Sequence, residues 1–420
     1  MGRTEYTEYI AALDLGTSKM LAIAAHKDGD GVLSILGSEK DISGNCMRRG
    51  CIYHVGETAL KVSSLINRLD RKLDANIKKI YVGLGGQSIR TEYHTVKREM
   101  NGSMVDDRTI DSLYNECLSY TPNLAEILEI VSPEYSLDGR PEADPRGLSC
   151  QTIEAKFLLI LGRPSLKTCL GKSIEERAKI EIAGYFISPL ATAEAVLTKR
   201  EKKLGCALIE FGAGITYLSV YKNGSLKYLI AIPLGSNIIT KDICDLGMPD
   251  GEAEELKIKE GSALVESEKG EQQLNNVIEG RATEIVANVI EHIKLSGYES
   301  SLGEGIVITG GGSLLRNLDE LIHLKTGKQV RIACVNKALV NWTNTWSDLI
   351  DDPASACIFG LLSLGKENCA KIVVKVISDP PPVGGGIIEV KAAPPVKEKK
   401  KKKSFREALA SISKGLFDEV

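Results

Sequence analysis

The chain has 420 residues, 43% hydrophobic and 26% charged, enough apolar material for two or three domains with buried cores. Its formal net charge of −3 gives no overall pull toward nucleic acid, yet residues 397–420 carry +4 and the rest −7. The longest apolar runs, 157–161 and 358–364, are core-sized and far short of a membrane span. The N-terminus lacks a signal-peptide layout, and Tyr6 breaks the myristoylation pattern that Gly2 begins. Ten cysteines are scattered without a CxxC pair and five histidines stand apart, which argues against a zinc site and points to a reducing, cytoplasmic setting.

In chain order, residues 9–37 read as a strand (10–15), a tight turn at 16–18, a returning strand (20–25), an Asp-Gly-Asp-Gly turn at 28–31 and a third strand (32–36). Residues 85–163 differ in texture, with polar, turn-rich text, and read as an inserted subdomain. Residues 206–235 repeat the first pattern: strand, Gly-rich turn, strand, an Asn223-Gly224 hairpin, strand. The acidic residues that end the two leading strands, Asp14 and Glu210, lie about 196 positions apart, and the matched internal spacing points to a duplicated domain. Residues 282–295 place Ile285, Val286, Val289, Ile290 and Ile293 on one helical face, with Gly297 as the stop. A buried strand at 306–309 runs into Gly310, Gly311 and Gly312, and Ser313 is the expected N-cap of a following helix. Five of the fourteen prolines fall in 380–395 beside three glycines at 384–386, marking a linker.

Each glycine cluster alone could simply shape a turn. Jointly they describe something else: a strand, Gly-rich turn, strand unit behind an acid presents backbone N–H groups to a phosphate, and the acid can hold Mg²⁺. Two such hairpins facing each other would clamp a polyphosphate from both sides, and three glycines would let a base and ribose approach the backbone. No GxxxxGK[ST] loop occurs.

On these residues the chain resembles the actin/Hsp70/sugar-kinase ATPase superfamily and, within it, the FtsA family of bacterial division proteins. Asp14, Gly16, Thr17, Ser18 and Lys19 resemble its first phosphate loop. Glu210, Gly212, Ala213, Gly214 and Thr216 resemble the other phosphate loop, and Gly310, Gly311 and Gly312 match the adenosine loop. In a segment similar to the ribose-contacting helix (253–264), Glu254 and Lys257 would face the sugar, and residues 188–197 and 352–365 are similar to the two connecting helices. The resemblance implies an α/β, actin-like ATPase fold: two duplicated RNase H-like halves around a nucleotide cleft, an inserted α+β subdomain and a C-terminal amphipathic helix. It implies a first half at 1–84 and 164–204, the insertion at 85–163, a second half at 205–235 and 300–370 with a subdomain at 236–299, a linker at 371–403 and the helix at 404–420. ATP and Mg²⁺ would be the cofactors, the metal held through ATP by Asp14 and Glu210.

The second loop departs from the family's usual DIGGGTTD: Glu210 replaces the leading Asp, Ala213 the middle Gly, and Tyr217 the final Asp. Binding tolerates such changes better than hydrolysis, which needs an in-line water, so at most slow hydrolysis is expected. At the C-terminus Lys397 and Lys399, Lys400, Lys401, Lys402 and Lys403 precede Phe405, Leu409, Ile412 and Leu416, spaced as one helical face and joined by Ala408 and Phe417. A basic cluster beside an apolar stripe reads as an anchor for an anionic membrane, each lysine adding about 1 kcal/mol near the surface. A terminal helix packing on its own domain is the plainer alternative.

The resemblance thus implies a cell division protein, a polymerising membrane adaptor. It would tether FtsZ, through its C-terminal peptide at about 236–300, to the cytoplasmic face of the inner membrane at the septum, together with other division proteins and no nucleic acid. The alternatives are a metabolite or sugar kinase of the same superfamily, or a pilus-assembly actin-like protein.

Overall fold

The computed structural model describes residues 8–265 and 272–370. The basic cluster, the apolar stripe and the linker of the C-terminal region lie outside the described residues. Among the described residues no helix is long and apolar enough to cross a membrane.

Strands β1 (Ile10–Leu15), β2 (Lys19–Lys27) and β3 (Leu33–Ile42) form an antiparallel meander. The Asp28 carboxylate holds the second turn by accepting the N–H groups of Asp30 and Val32 at 3.0 and 2.8 Å. A short hairpin of β4 (Met47–Arg48) and β5 (Cys51–Ile52) follows, then helix α1 (Val55–Leu73). That helix buries Ala59, Val62, Leu65, Ile66 and Leu69 at helical spacing against the sheet. Strand β6 (Lys79–Leu84) pairs parallel with β1.

The chain then departs into β7 (Arg90–Glu99), α2 (Asp107–Leu118), β8 (Glu126–Leu137), β9 (Arg140–Glu142) and β10 (Thr152–Gly162). Asp106 caps α2, its carboxylate accepting the Thr109 N–H at 2.8 Å. This region has its own core, built on Val96, Leu113, Ile153, Phe157 and Leu159. It returns through α3 (Ser165–Gly171) and a wide helical turn at Lys172–Arg177 to β11 (Glu181–Ile187), parallel to β6, and then α4 (Ser188–Val196) and α5 (Lys199–Leu204). The first sheet has the order β11-β6-β1-β2-β3.

The second half opens with β12 (Cys206–Phe211), β13 (Thr216–Lys222) and β14 (Ser225–Ile232), again an antiparallel meander. Helices α6 (Ser236–Cys244), α7 (Asp250–Glu260) and α8 (Gln272–Leu295) follow. Strand β15 (Ile306–Thr309) then pairs parallel with β12, and α9 (Leu318–Thr326), β16 (Val330–Ile332), α10 (Ser347–Ile350) and α11 (Ala356–Leu364) complete it. The run β16-β15-β12-β13-β14 repeats the first sheet strand for strand. The two hairpins expected from the sequence are therefore the leading strands of two equivalent sheets.

Helices α4 and α11 cross at a point of backbone contact. A Cβ on Gly360 would lie 1.8 Å from the Ala191 carbonyl oxygen, so only glycine allows the approach. One expectation needs correction. Ser313 does not cap a helix: residues Gly311–Leu314 form a 3-10 turn in which its hydroxyl donates to the Gly310 carbonyl at 2.7 Å, and α9 starts after Asn317, whose φ is +59°. The insertion, entered from the first half, is also hydrogen-bonded to the second, through Ile230 on β14 opposite Arg90 on β7. The Thr91 hydroxyl donates to the Leu229 carbonyl and accepts its N–H, and Lys227 Nζ meets Glu134 at 2.6 Å.

Candidate functional site: a cleft between the two halves

A cleft of about 390 Å³ lies between the halves, its walls formed by the turns after β1, β12 and β15 and by α7. After β1 the chain must turn within Gly16, Thr17 and Ser18, and a Cβ on Gly16 would sit 2.8 Å from the Lys19 carbonyl. Ser43 steadies this loop: its hydroxyl donates to the Gly16 carbonyl at 2.7 Å and its N–H to that of Ser18 at 3.0 Å. After β12 the second loop turns equally tightly, a Cβ on Gly212 falling 2.7 Å from the Ile215 carbonyl. The start of α6 supports it, with Ser236 N–H donating to Gly212 and Asn237 N–H to Ala213. The loops touch across the cleft, since a Cβ on Gly214 would meet Thr17 at 2.8 Å, and Thr17 accepts the Gly50 N–H at 3.0 Å.

Asp14 and Glu210, equivalent by the duplication, both line the cleft floor. Each is half-buried, with protein packed around its carboxylate. Burial raises the Asp14 carboxyl above its ordinary range, opposed by the Cys357 thiol and the Lys19 ammonium. Burial pushes Glu210 up to about 7, opposed by Thr192 and reinforced by the charge of Asp14. Glu210 Oε2 and the Thr192 hydroxyl are buried beside each other, and neither has any other polar partner among the described residues. An orphaned carboxylate oxygen at the foot of a polar cleft fits a cation ligand, because a cation would remove the desolvation penalty that now raises the carboxyl. Lys19 pairs with Asp352 at 3.1 Å, and Asp352 in turn caps the turn at Pro353–Ser355.

On the opposite wall Gly310 has φ +85° and a Cβ there would meet the Phe211 carbonyl at 2.5 Å, so the backbone is bare. Its N–H donates to Pro353, and Thr309 Oγ1 to Ala333 and Pro353, tying this loop to the entry of α11. Glu254 and Lys257 stand together: Lys257 Nζ lies 2.6 Å from Glu254 Oε2 and 2.8 Å from the Thr240 hydroxyl. Lys257 is 8% exposed, so its ammonium is held by these neighbours and not by solvent.

Of the residues expected at the site, Asp14, Gly16, Thr17, Ser18, Lys19, Glu210, Gly212, Ala213, Glu254, Lys257, Gly310, Gly311 and Gly312 all line this one cleft. Two do not. Gly214 lies against Thr17, and Thr216 is fully buried with its hydroxyl donating to the Leu234 carbonyl at 2.8 Å. Thr216 follows the loop onto β13, where alternation turns its side chain away from the cleft. Sequence reasoning did not find Ser43, Asn237, Asp352 or Cys357, which carry no motif and reach the site only through tertiary packing.

The model of the cell division protein FtsA matches residues 207–360, and that of the SHS2 domain inserted in FtsA matches residues 86–161. The cell division protein FtsA of Porphyromonas gingivalis is 31% identical over 328 residues, covering 73% of this chain and 68% of that protein. The chain belongs to the FtsA family of cell division proteins. FtsA proteins of Pseudomonas aeruginosa and Escherichia coli are each 27% identical over about nine-tenths of their own length (91% and 90%) and 87% and 86% of this chain. Among solved structures, a PilM-PilN type IV pilus biogenesis complex aligns with a TM-score of 0.62 at 15% identity, covering 84% of this chain and 97% of that one. The ethanolamine utilization protein EutJ of Carboxydothermus hydrogenoformans aligns with a TM-score of 0.51 at 13% identity, covering 86% and 92%. Both share the actin-like fold of this FtsA-family chain, and the inserted SHS2 domain and the sequence relatives set it with the division proteins.

Proposed function

We propose that this FtsA-family protein is a nucleotide-controlled adaptor that binds Mg-ATP in the cleft, polymerises, and links FtsZ to the membrane at the division site. The observation that carries the nucleotide part is the meeting of Asp14 and Glu210 in one cleft, with Glu210 Oε2 buried and only the Thr192 hydroxyl beside it. Asp14 and Glu210 would hold the metal, which neutralises phosphate charge when bound. Both phosphate loops offer backbone N–H groups, Lys19 supplies a cation, and Lys257 and Glu254 face the sugar edge beside Gly310. Ala213 and Glu210 alter the second loop, which favours binding with slow hydrolysis at most.

The tether is read from the basic, amphipathic C-terminal sequence, and FtsZ peptide binding is assigned to about residues 236–300, the region that contains α6, α7 and α8. Polymerisation makes a weak anchor effective, because many aligned helices bind by avidity. A sugar kinase fits less well: beyond the phosphate loop the first-half wall is mostly apolar, with Met47, Ile52, Leu166 and Leu170, and only Ser165 and Ser188 add hydroxyls for a polyhydroxylated substrate. Equilibrium binding of fluorescent ATP with Mg²⁺ tests the nucleotide reading. Asp14→Ala should weaken it tenfold or more by the loss of a charged ligand, and an unchanged affinity would discard the assignment.

A further inference from the structure

Tyr217 stands where the family pattern has an acid, and its surroundings give it a specific task. Its position on β13 is directly opposite Glu210 on β12, so the phenol and the carboxylate share the face of the hairpin that borders the cleft. The ring is 5% exposed and its hydroxyl reaches across to the start of the insertion, where it accepts the Gly86 N–H at 2.6 Å. Room for that hydroxyl is made by glycines: a Cβ on Gly85 would lie 2.9 Å from it and one on Gly50 3.1 Å. Gly50 is also the residue whose N–H is bonded to Thr17 of the first phosphate loop. The phenol oxygen therefore sits beside the entry to the insertion and, through Gly50, next to the first phosphate loop.

A phenol has one proton to give as well as lone pairs to accept with. One lone pair is engaged by the Gly86 N–H, while among the described residues the proton makes no hydrogen bond. Tyr217 lines the cleft together with Gly50, Gly83, Gly85, Thr17 and Ser188, so the cleft is open space beside that proton. A carboxylate at this place would repel a phosphate; a phenol can donate to one.

We propose that Tyr217 is a ligand-binding residue whose hydroxyl donates to the terminal phosphate of a bound nucleoside triphosphate, so that it discriminates triphosphate from diphosphate. This rests on the nucleotide reading above. The bond from Gly86 orients the hydroxyl, and a donor already accepting a hydrogen bond is polarised toward giving its own.

The test is equilibrium binding of ATP and ADP, each with Mg²⁺, to full-length wild type, Tyr217→Phe and Gly85→Ala. The first variant removes the hydroxyl, and the second keeps it but displaces the phenol tip. Loss of a hydrogen bond to a charged group should weaken ATP binding by about tenfold or more and leave ADP within about twofold in both variants. Equal losses for ATP and ADP would make Tyr217 a brace between the halves only, and unchanged ATP affinity would remove it from the site; either overturns the proposal. Failure of the wild type to bind either nucleotide would instead refute the nucleotide reading itself.

Discussion

Glu210→Gln separates the stability of the empty cleft from its function. The Glu210 carboxyl is pushed from 4.5 to about 7 by burial, so the folded protein prefers it neutral. Below the unfolded value both states are protonated and the site costs nothing. Between that value and about 7 the unfolded chain loses its proton while the folded chain keeps it, and stability falls by about 1.4 kcal/mol per pH unit. Above about pH 7 the penalty is complete, on the order of 3 kcal/mol if the unfolded carboxyl is fully solvated. The glutamine side chain has nearly the same shape and no charge to desolvate. The nucleotide-free variant should therefore be more stable than wild type by about 2–3 kcal/mol at about pH 8, with the gain shrinking toward pH 5. Urea unfolding at both pH values measures this. The same variant should bind Mg-ATP at least tenfold more weakly, because the metal loses an anionic ligand. A variant less stable than wild type at the higher pH would show that Glu210 is not held neutral by burial, and one that binds Mg-ATP unchanged would show that Glu210 is not a metal ligand.

Three other substitutions probe separate parts of the structure. Gly360→Ala forces a methyl into the Ala191 carbonyl and should destabilise the helix crossing by about 3 kcal/mol or more, read by urea unfolding; a neutral result would mean that the helices do not cross at this distance. Lys257→Met removes the shared donor of Glu254 and Thr240, and should weaken ATP and ADP equally, by about tenfold, because the pair lies on the adenosine side; a loss confined to ATP would place Lys257 elsewhere. Lys227→Met breaks the ion pair with Glu134, costing about 1 kcal/mol, and should speed hydrogen exchange at Leu229 and Ala231, where the insertion joins β14. Unchanged exchange there would show that the ion pair does not hold the joint.

The leading strands of both halves were legible because each is a dense apolar run closed by a Gly-rich turn, and Asp14 and Glu210 end them in register. The helix at Gln272–Leu295 was legible over its C-terminal part, where Ile285, Val286, Val289 and Ile293 repeat at helical spacing, and not over its polar first turns. Ser313 misled because an N-cap preference is local, whereas the approach of Gly310 to Phe211 fixes a 3-10 turn there and delays the helix. Most of the cleft could be read from glycine placement, since close backbone approach leaves a mark in sequence. Thr216 could not be excluded without knowing which face of β13 borders the cleft. The joint between Arg90 and Ile230 left no trace either, because it pairs residues 140 positions apart through backbone groups every residue has.

The proposed adaptor role requires that nucleotide state govern attachment to membrane through the C-terminal segment. The decisive measurement is co-sedimentation with anionic liposomes, using full-length protein and a chain truncated before Lys397, each with and without Mg-ATP. Nucleotide-controlled tethering predicts pelleting that depends on the segment and increases with Mg-ATP. Pelleting that persists after truncation, or that is absent with and without nucleotide, would contradict it.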